Sequence, residues 1–222
     1  MNNQNQIKSL LDSKEVINIQ KIKIEGRWEE YRNASYNIKL WFKFWKKIFK
    51  NDKNSKILDF GSGACWGGFV ANKLNLNNHF NLDIDIKEVK EIFGTYADCL
   101  GQSVTYYDGK VIPFESDFFD VVVAKASIMK LDRTGISNVI NELVRVSKVN
   151  ANWYVASKGM CYRLKESIAI HELSEVLSEK NISIKCWTWS PFECIRSKSP
   201  WTEFYLLYIL HKYIRKIKLM FI

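Results

Sequence analysis

No stretch of this sequence reaches the ~18 consecutive apolar residues needed to cross a bilayer. Its opening, Met1-Asn2-Asn3-Gln4-Asn5-Gln6, is polar where a secretory leader would carry an apolar core, so the chain is expected to stay in the cytoplasm. The five cysteines, Cys65, Cys99, Cys161, Cys186 and Cys194, are odd in number and share no CxxC pair. Free buried thiols are therefore expected in place of disulfides or a zinc site. Internal repeats and low-complexity linkers are absent as well. A hydrophobic content of 47% and an aromatic content of 14% exclude general disorder. The 222 residues suffice for one domain with embellishments, or one domain with a terminal appendage.

Charge is present but unevenly placed. The net +9 divides into 13 Lys/Arg against 6 Asp/Glu over residues 1–56, 9 against 12 over 57–156, and 11 against 6 over 157–222. An acidic middle between basic ends fits contact of the ends with nucleic acid, an anionic membrane surface or an acidic substrate, and it fits equally a lysine-rich composition with solvated faces.

Residues 1–25 carry no motif and read as a loose tail followed by a short helix or strand. Further on, Ile38, Trp41, Phe42, Trp45, Ile48 and Phe49 share one face at helical spacing, with Lys39, Lys43, Lys46, Lys47 and Lys50 opposite. Such a basic amphipathic helix either lays its aromatic face on the core or lies on an anionic lipid or polyanion surface.

The chain is organised around Lys56-Ile57-Leu58-Asp59-Phe60-Gly61-Ser62-Gly63-Ala64-Cys65-Trp66-Gly67-Gly68, an apolar run that ends in a carboxylate and breaks into glycines before a helix expected to start near Phe69. A second strand is expected over residues 79–85, completing a βαβ unit. Its Asp83 lies 22 positions beyond Gly61, close to the ~20-residue offset at which an acid receives ribose hydroxyls in nucleoside-binding α/β folds. Asp85 is expected to cap the following helix. Further strands are expected near residues 103–109, 121–124, 152–156 and 182–189, and helices over 136–146 and 166–180.

These signals, in order, resemble the class I S-adenosylmethionine-dependent methyltransferases of the type 11 group, over roughly residues 56–156. The resemblance rests on Ile57-Leu58-Asp59-Phe60-Gly61-Ser62-Gly63, on Asp83, on Asp108-Gly109 followed by Ile112-Pro113-Phe114 and Phe119-Asp120, and on Glu142-Leu143-Val144-Arg145-Val146. It implies an α/β, Rossmann-like methyltransferase fold: a mostly parallel seven-stranded sheet with helices on both faces. It also implies S-adenosyl-L-methionine as cofactor. Gly61, Ser62 and Gly63 would contact the methionine part and Asp83 the ribose. Asp108 would accept the adenine amino group beside Gly109, Ile84 would flank the adenine, and Lys125 would offer its main-chain carbonyl. Asp59 at the end of the first strand suits an ammonium group and would repel a pyrophosphate, which separates this pattern from a dinucleotide site. Asp59 as a plain turn residue, Asp108-Gly109 as a plain turn and Ile84 as core remain the ordinary alternatives.

Two positions depart from the family. Cys65 stands where a third turn glycine is usual, followed by Trp66 and Gly67-Gly68, which predicts a reshaped or lengthened loop. Ala126 and Lys130 stand where an acid and a histidine are common after the fourth strand. For an oxygen acceptor the candidate bases are His171, Asp132 and Lys130. Trp28, Tyr31 and Tyr36 either close over the cofactor or pack in the core. The expected organisation is an N-terminal helical lid or cap over residues 1–55, a cofactor-binding domain over 56–200 and a basic apolar helix over 201–222. The expected acceptor is a small molecule or a glycan- or lipid-linked precursor, as in polysaccharide biosynthesis, in preference to RNA. Peripheral contact with the inner face of the membrane would run through 38–50 and 201–222. The rival reading is a peripheral membrane or binding module with a degenerate form of this fold.

Overall fold

The computed structural model describes residues 2–22, 33–49, 54–125, 127–128, 133–156 and 183–186. The chain divides into two compact units at Pro113/Phe114, whereas composition and motifs suggest boundaries near 55 and 200.

The first unit opens with three helices, α1 (Asn3–Leu11), α2 (Lys14–Lys21) and α3 (Ala34–Ile48). Asn2 and Asn33 cap α1 and α3, each accepting a backbone N–H two or three residues on. A strand–helix alternation follows: β1 (Ile57–Phe60), α4 (Trp66–Lys73), β2 (His79–Ile84), α5 (Lys87–Cys99) and β3 (Val104–Tyr107). The three strands run parallel in the order β3-β2-β1, with Asp59 opposite Asn81 and Asp83 opposite Tyr106. This is the βαβαβ half of a Rossmann-like fold, whose ligands bind outside the carboxyl ends of the strands.

The aromatic side of α3 is buried: Ile38, Trp41, Phe42, Phe44 and Trp45 are all covered, while Lys39, Lys43, Lys46 and Lys47 are exposed. Trp45 is fully enclosed and its indole Nε1 donates to the Gly67 carbonyl at 2.9 Å. Of the two roles open to this helix, its apolar face therefore takes the core-packing one. It starts four residues before the expected Ile38, because Asn33 supplies the cap.

Two further boundaries differ from expectation for local reasons. Helix α4 begins at Trp66, not near Phe69, because the Phe69 N–H already bonds the Cys65 carbonyl. Gly67 and Gly68 thus lie in its first turn. Asp85 does not cap α5, where the cap position is Ile86. The Asp85 backbone N–H instead extends the sheet to the Tyr107 carbonyl, and its carboxylate meets Lys90 at 2.7 Å.

The second unit contains β4 (Phe119–Lys125), α6 (Arg133–Val146), β5 (Ser147–Ala156) and β6 (Ser183–Cys186), with β4-β5 and β5-β6 both parallel. β4 is buried along most of its length, as expected for a β-branched run inside a parallel sheet. β5 starts five residues before the expected Asn152. Its register against β4 slips between Phe119 and Val121, and Asn150 takes a left-handed φ of 68°. A bulge of this kind breaks the two-residue alternation that marks a strand in sequence. Ser147 ties helix to strand, its hydroxyl donating to Leu143 O and accepting from Trp153 Nε1. Six strands form among the described residues. They correspond to the six read from residue pattern, and the seventh, which came from the resemblance alone, has no counterpart among them.

Two glycines in similar helical settings should respond oppositely to alanine. At Gly67 an added Cβ would sit 2.5 Å from Asp59 Oδ2 and 3.2 Å from the Trp41 ring, whereas at Gly94 the nearest neighbour is the Tyr106 hydroxyl at 3.6 Å. Gly67→Ala is predicted to destabilise by about 1–3 kcal/mol through overpacking, and Gly94→Ala to stabilise by about 0.5–1 kcal/mol through helix propensity. Urea unfolding midpoints of the two variants provide the check.

Candidate functional site

The carboxyl ends of β1, β2 and β3 meet at the Gly61–Cys65 turn. Its residues alternate into the left-handed region, with φ of 67° at Gly61, 52° at Gly63 and 57° at Cys65. Cys65 thus adopts a left-handed conformation that favours glycine. Gly67 and Gly68 serve a different purpose. The Asp59 carboxylate and Trp41 crowd the first, and the side-chain amides of Asn81 and Gln102 crowd the second.

The backbone donors of the turn point inward. Gly61 N–H and Ser62 N–H both donate to Leu82 O, at 2.8 and 3.1 Å, and Cys65 N–H donates to Ser62 O at 3.0 Å. Gly63 N–H donates to Asp83 Oδ2 at 2.8 Å, while Asp83 Oδ1 accepts from the Ile84 N–H. A phosphate cradle needs such amides to face the ligand, and these four are already engaged.

The surroundings are acidic. Asp83 closes the end of β2 and Asp108 follows β3. Asp108 is exposed, and its Oδ1 accepts from the backbone of Lys110 and Val111 at 2.8 and 3.1 Å. Those two bonds hold its carboxyl below the usual range, so it stays ionised. Burial, and then the charges of Asp83 and Asp108, push the Tyr107 phenol up to about 12. Gly109 takes a φ of 83°, and a Cβ there would be 3.5 Å from Ile84 Cδ1, so Ile84 and the Asp108-Gly109 turn are neighbours. Asp83, Ile84, Asp108, Gly109 and the turn are therefore brought together.

Asp59 is placed differently from the others. It is 1% exposed and lies behind the turn, against Gly67 of α4, with its Oδ2 3.8 Å from His79 Nε2. That separation is beyond hydrogen-bond reach, and burial holds the imidazole neutral, pushing its pKa down to about 3. We therefore read the pair as a packed contact and not as an ion pair. Lys125 is the half-buried last residue of β4, in the second unit. His171, Asp132, Lys130, Ala126, Trp28, Tyr31 and the 201–222 segment lie outside the described residues. Tyr36, the third aromatic of the expected lid, is 45% exposed in the first turn of α3. Trp45 and His79 were not singled out by sequence as site residues. A lone histidine and one more tryptophan on an apolar face carry no signal beyond core packing.

No protein-family model and no curated protein matches the chain. Among solved structures, a SAM-dependent methyltransferase from Aquifex aeolicus is similar at 19% identity, over 74% of this chain and 87% of that one, with a TM-score of 0.49. A protein from Pyrococcus horikoshii is similar at 21% identity over 54% of each chain, with a TM-score of 0.41, so the match spans about half of that relative. A SAM-dependent methyltransferase from Methanosarcina mazei is similar at 22% identity over 54% of this chain and 61% of that one, with a TM-score of 0.38. The chemistry of the site rests on its own geometry.

Two predictions come from the turn and its backing. The left-handed backbone at Cys65 carries a penalty of about 1–2 kcal/mol for a side chain, which Cys65→Gly removes while giving up the buried thiol. Cys65→Gly is therefore predicted to stay within about 1 kcal/mol of the native protein, and the β-branched Cys65→Val to lose about 2 kcal/mol or more. Thermal unfolding of both variants tests this. The second concerns pH. His79 has a folded pKa of about 3 against an ordinary 6.5, so between these values the unfolded chain binds a proton that the folded chain refuses. Stability from this group is complete above pH 6.5 and declines below it by up to about 1.4 kcal/mol per pH unit. Urea midpoints at pH 7, 6 and 5 should fall more steeply for the native protein than for His79→Gln.

Proposed function

We propose that the chain is an S-adenosylmethionine-dependent methyltransferase that binds the cofactor at the carboxyl ends of β1–β3. The observation that carries this reading is the inward pairing of the Gly61, Ser62 and Gly63 amides beside two carboxylates at strand ends. Such a site offers little to a pyrophosphate and much to a cationic nucleoside with a ribose diol. On this reading Gly61, Ser62 and Gly63 flank the methionine part, Asp83 takes the ribose hydroxyls and Asp108-Gly109 takes the adenine edge against Ile84. Lys125 contributes its carbonyl. Asp59, buried behind the turn, would favour the ammonium group by its charge, directly or through water.

The cofactor supplies an electrophilic methyl group on its sulfonium. What remains for the protein is to hold the acceptor atom in line, exclude water and, for a hydroxyl acceptor, remove a proton. The acceptor we favour is a small molecule or a glycan- or lipid-linked precursor methylated on oxygen, with His171, Asp132 or Lys130 as base. Among the described residues no helix is long and apolar enough to cross a membrane. With the apolar face of α3 buried, peripheral attachment would rest on its lysines and on residues 201–222. The rival reading, a peripheral membrane or binding module with a degenerate form of this fold, rests on the basic faces of residues 38–50 and 201–222.

Titration calorimetry decides between them. Binding of S-adenosylmethionine is expected at micromolar concentrations. Asp83→Asn should weaken it about tenfold or more, as expected for hydrogen bonds to a charged acceptor worth ~1.5–3 kcal/mol. No heat at high micromolar cofactor would refute the assignment. A labelled-methyl screen across glycan, lipid and RNA extracts then identifies the acceptor, and transfer to RNA alone would overturn the glycan preference.

A further inference from the structure

The β1–α4 turn is braced from behind by α3, through contacts that no ligand would touch. Trp45 Nε1 donates to the carbonyl of Gly67 at 2.9 Å in a buried bond. Gly67 stands two residues past Cys65, in the first turn of the helix that the glycine turn feeds. The Trp45 ring also meets His79 edge-on, with centroids 5.5 Å apart, and stacks on Trp41 at 5.3 Å. Trp41 in turn lies against the position a Gly67 Cβ would occupy, 3.2 Å from it. The His79 side chain is fully covered, and His79 is the first residue of β2, paired with Ile57 of β1. One indole thus touches the start of α4, which the turn feeds, and the first residue of β2, the strand whose other end accepts the turn's amides.

We infer that Trp45 is a positioning residue for the nucleoside turn, and that α3 braces the site from behind through this one side chain. The indole N–H fixes the height of the α4 N-terminus over β1, with the Asp59 carboxylate packed beneath. Because Cys65 tolerates its left-handed backbone only where neighbours over-determine it, loosening Gly67 loosens the turn before it unfolds the domain. This inference rests on the cofactor assignment only in its binding readout, since the turn's order is measurable without cofactor.

The experiment compares Trp45→Phe, which keeps a ring and removes the donor, with Val139→Ala, a buried α6 truncation in the other unit, matched by thermal unfolding. Hydrogen exchange is followed at the amides of residues 61–68, and S-adenosylmethionine binding by calorimetry. Trp45→Phe is expected to speed exchange in the turn and weaken cofactor binding roughly tenfold, the worth of about one buried hydrogen bond, with Val139→Ala changing neither. Equal exchange and equal binding in the two variants would overturn the inference and leave Trp45 as core. If the native protein binds no cofactor, the cofactor assignment fails, and the exchange comparison alone decides the brace. Should Trp45→Phe not fold, Trp41→Leu, which loosens the same glycine contact, takes its place with the same two outcomes.

Discussion

The bonds from the Gly61–Gly63 backbone to β2 are the constraint on which the rest of the site depends. Leu82 O takes two consecutive amides and Asp83 takes the next, so the chain leaving β1 must fold back over the end of β2 at once. That reversal is sterically open only if alternate residues enter the left-handed region, as 61, 63 and 65 do. It also forces α4 to start at Trp66 and to lie directly against β1 and α3. Gly67 follows from this closeness and Gly68 from the Asn81 and Gln102 side chains beside it, neither from any need for loop freedom.

The same constraint sets the electrostatics. Amides turned inward leave the mouth of the turn to Asp83 and Asp108, so charge complementarity points to a cation, although the chain as a whole carries +9. Total charge therefore misleads here. The excess lysines of the first unit include those on the outer face of α3, whose inner face is committed to Gly67 and His79. An amphipathic helix that has buried its aromatic side in its own domain has only charge to offer a membrane, and charge alone gives a contact screened within roughly 10 Å at moderate salt.

Strand positions were legible because β-branched runs such as Val121-Val122-Val123 admit few other readings. The clustering of Asp83, Ile84, Asp108 and Gly109 was legible because spacing along a βαβ unit fixes which strand ends come together. What escaped has a physical cause in each instance. The cost of a left-handed cysteine is small enough for surrounding contacts to offset, so residue type alone does not reveal that Cys65 takes a left-handed backbone. Asp85 looks like a cap, but its N–H is committed to a sheet bond with Tyr107 O. The bulge at Asn150 hides the first half of β5 by breaking its alternation. The role of Trp45 depends on where a helix from another part of the chain docks, and nothing local encodes that.

Asp59 and Asp83 show how finely position along a strand divides similar residues. β1 ends at Phe60, opposite Leu82, while β2 runs two residues further. Asp59 sits one residue inside the last paired rung, where α4 and α3 close over it, and is 1% exposed. Asp83 sits one residue outside that rung, beside the reversal of the chain, at 9% exposure with one oxygen on the Gly63 amide. A carboxylate has about four acceptor positions; Asp83 spends one oxygen on the Gly63 amide, which anchors the turn, and the other on the Ile84 amide. A residue type and an approximate spacing therefore suit both acids to ligand contact. The point at which β1 stops being paired puts one in front of the turn and the other behind it.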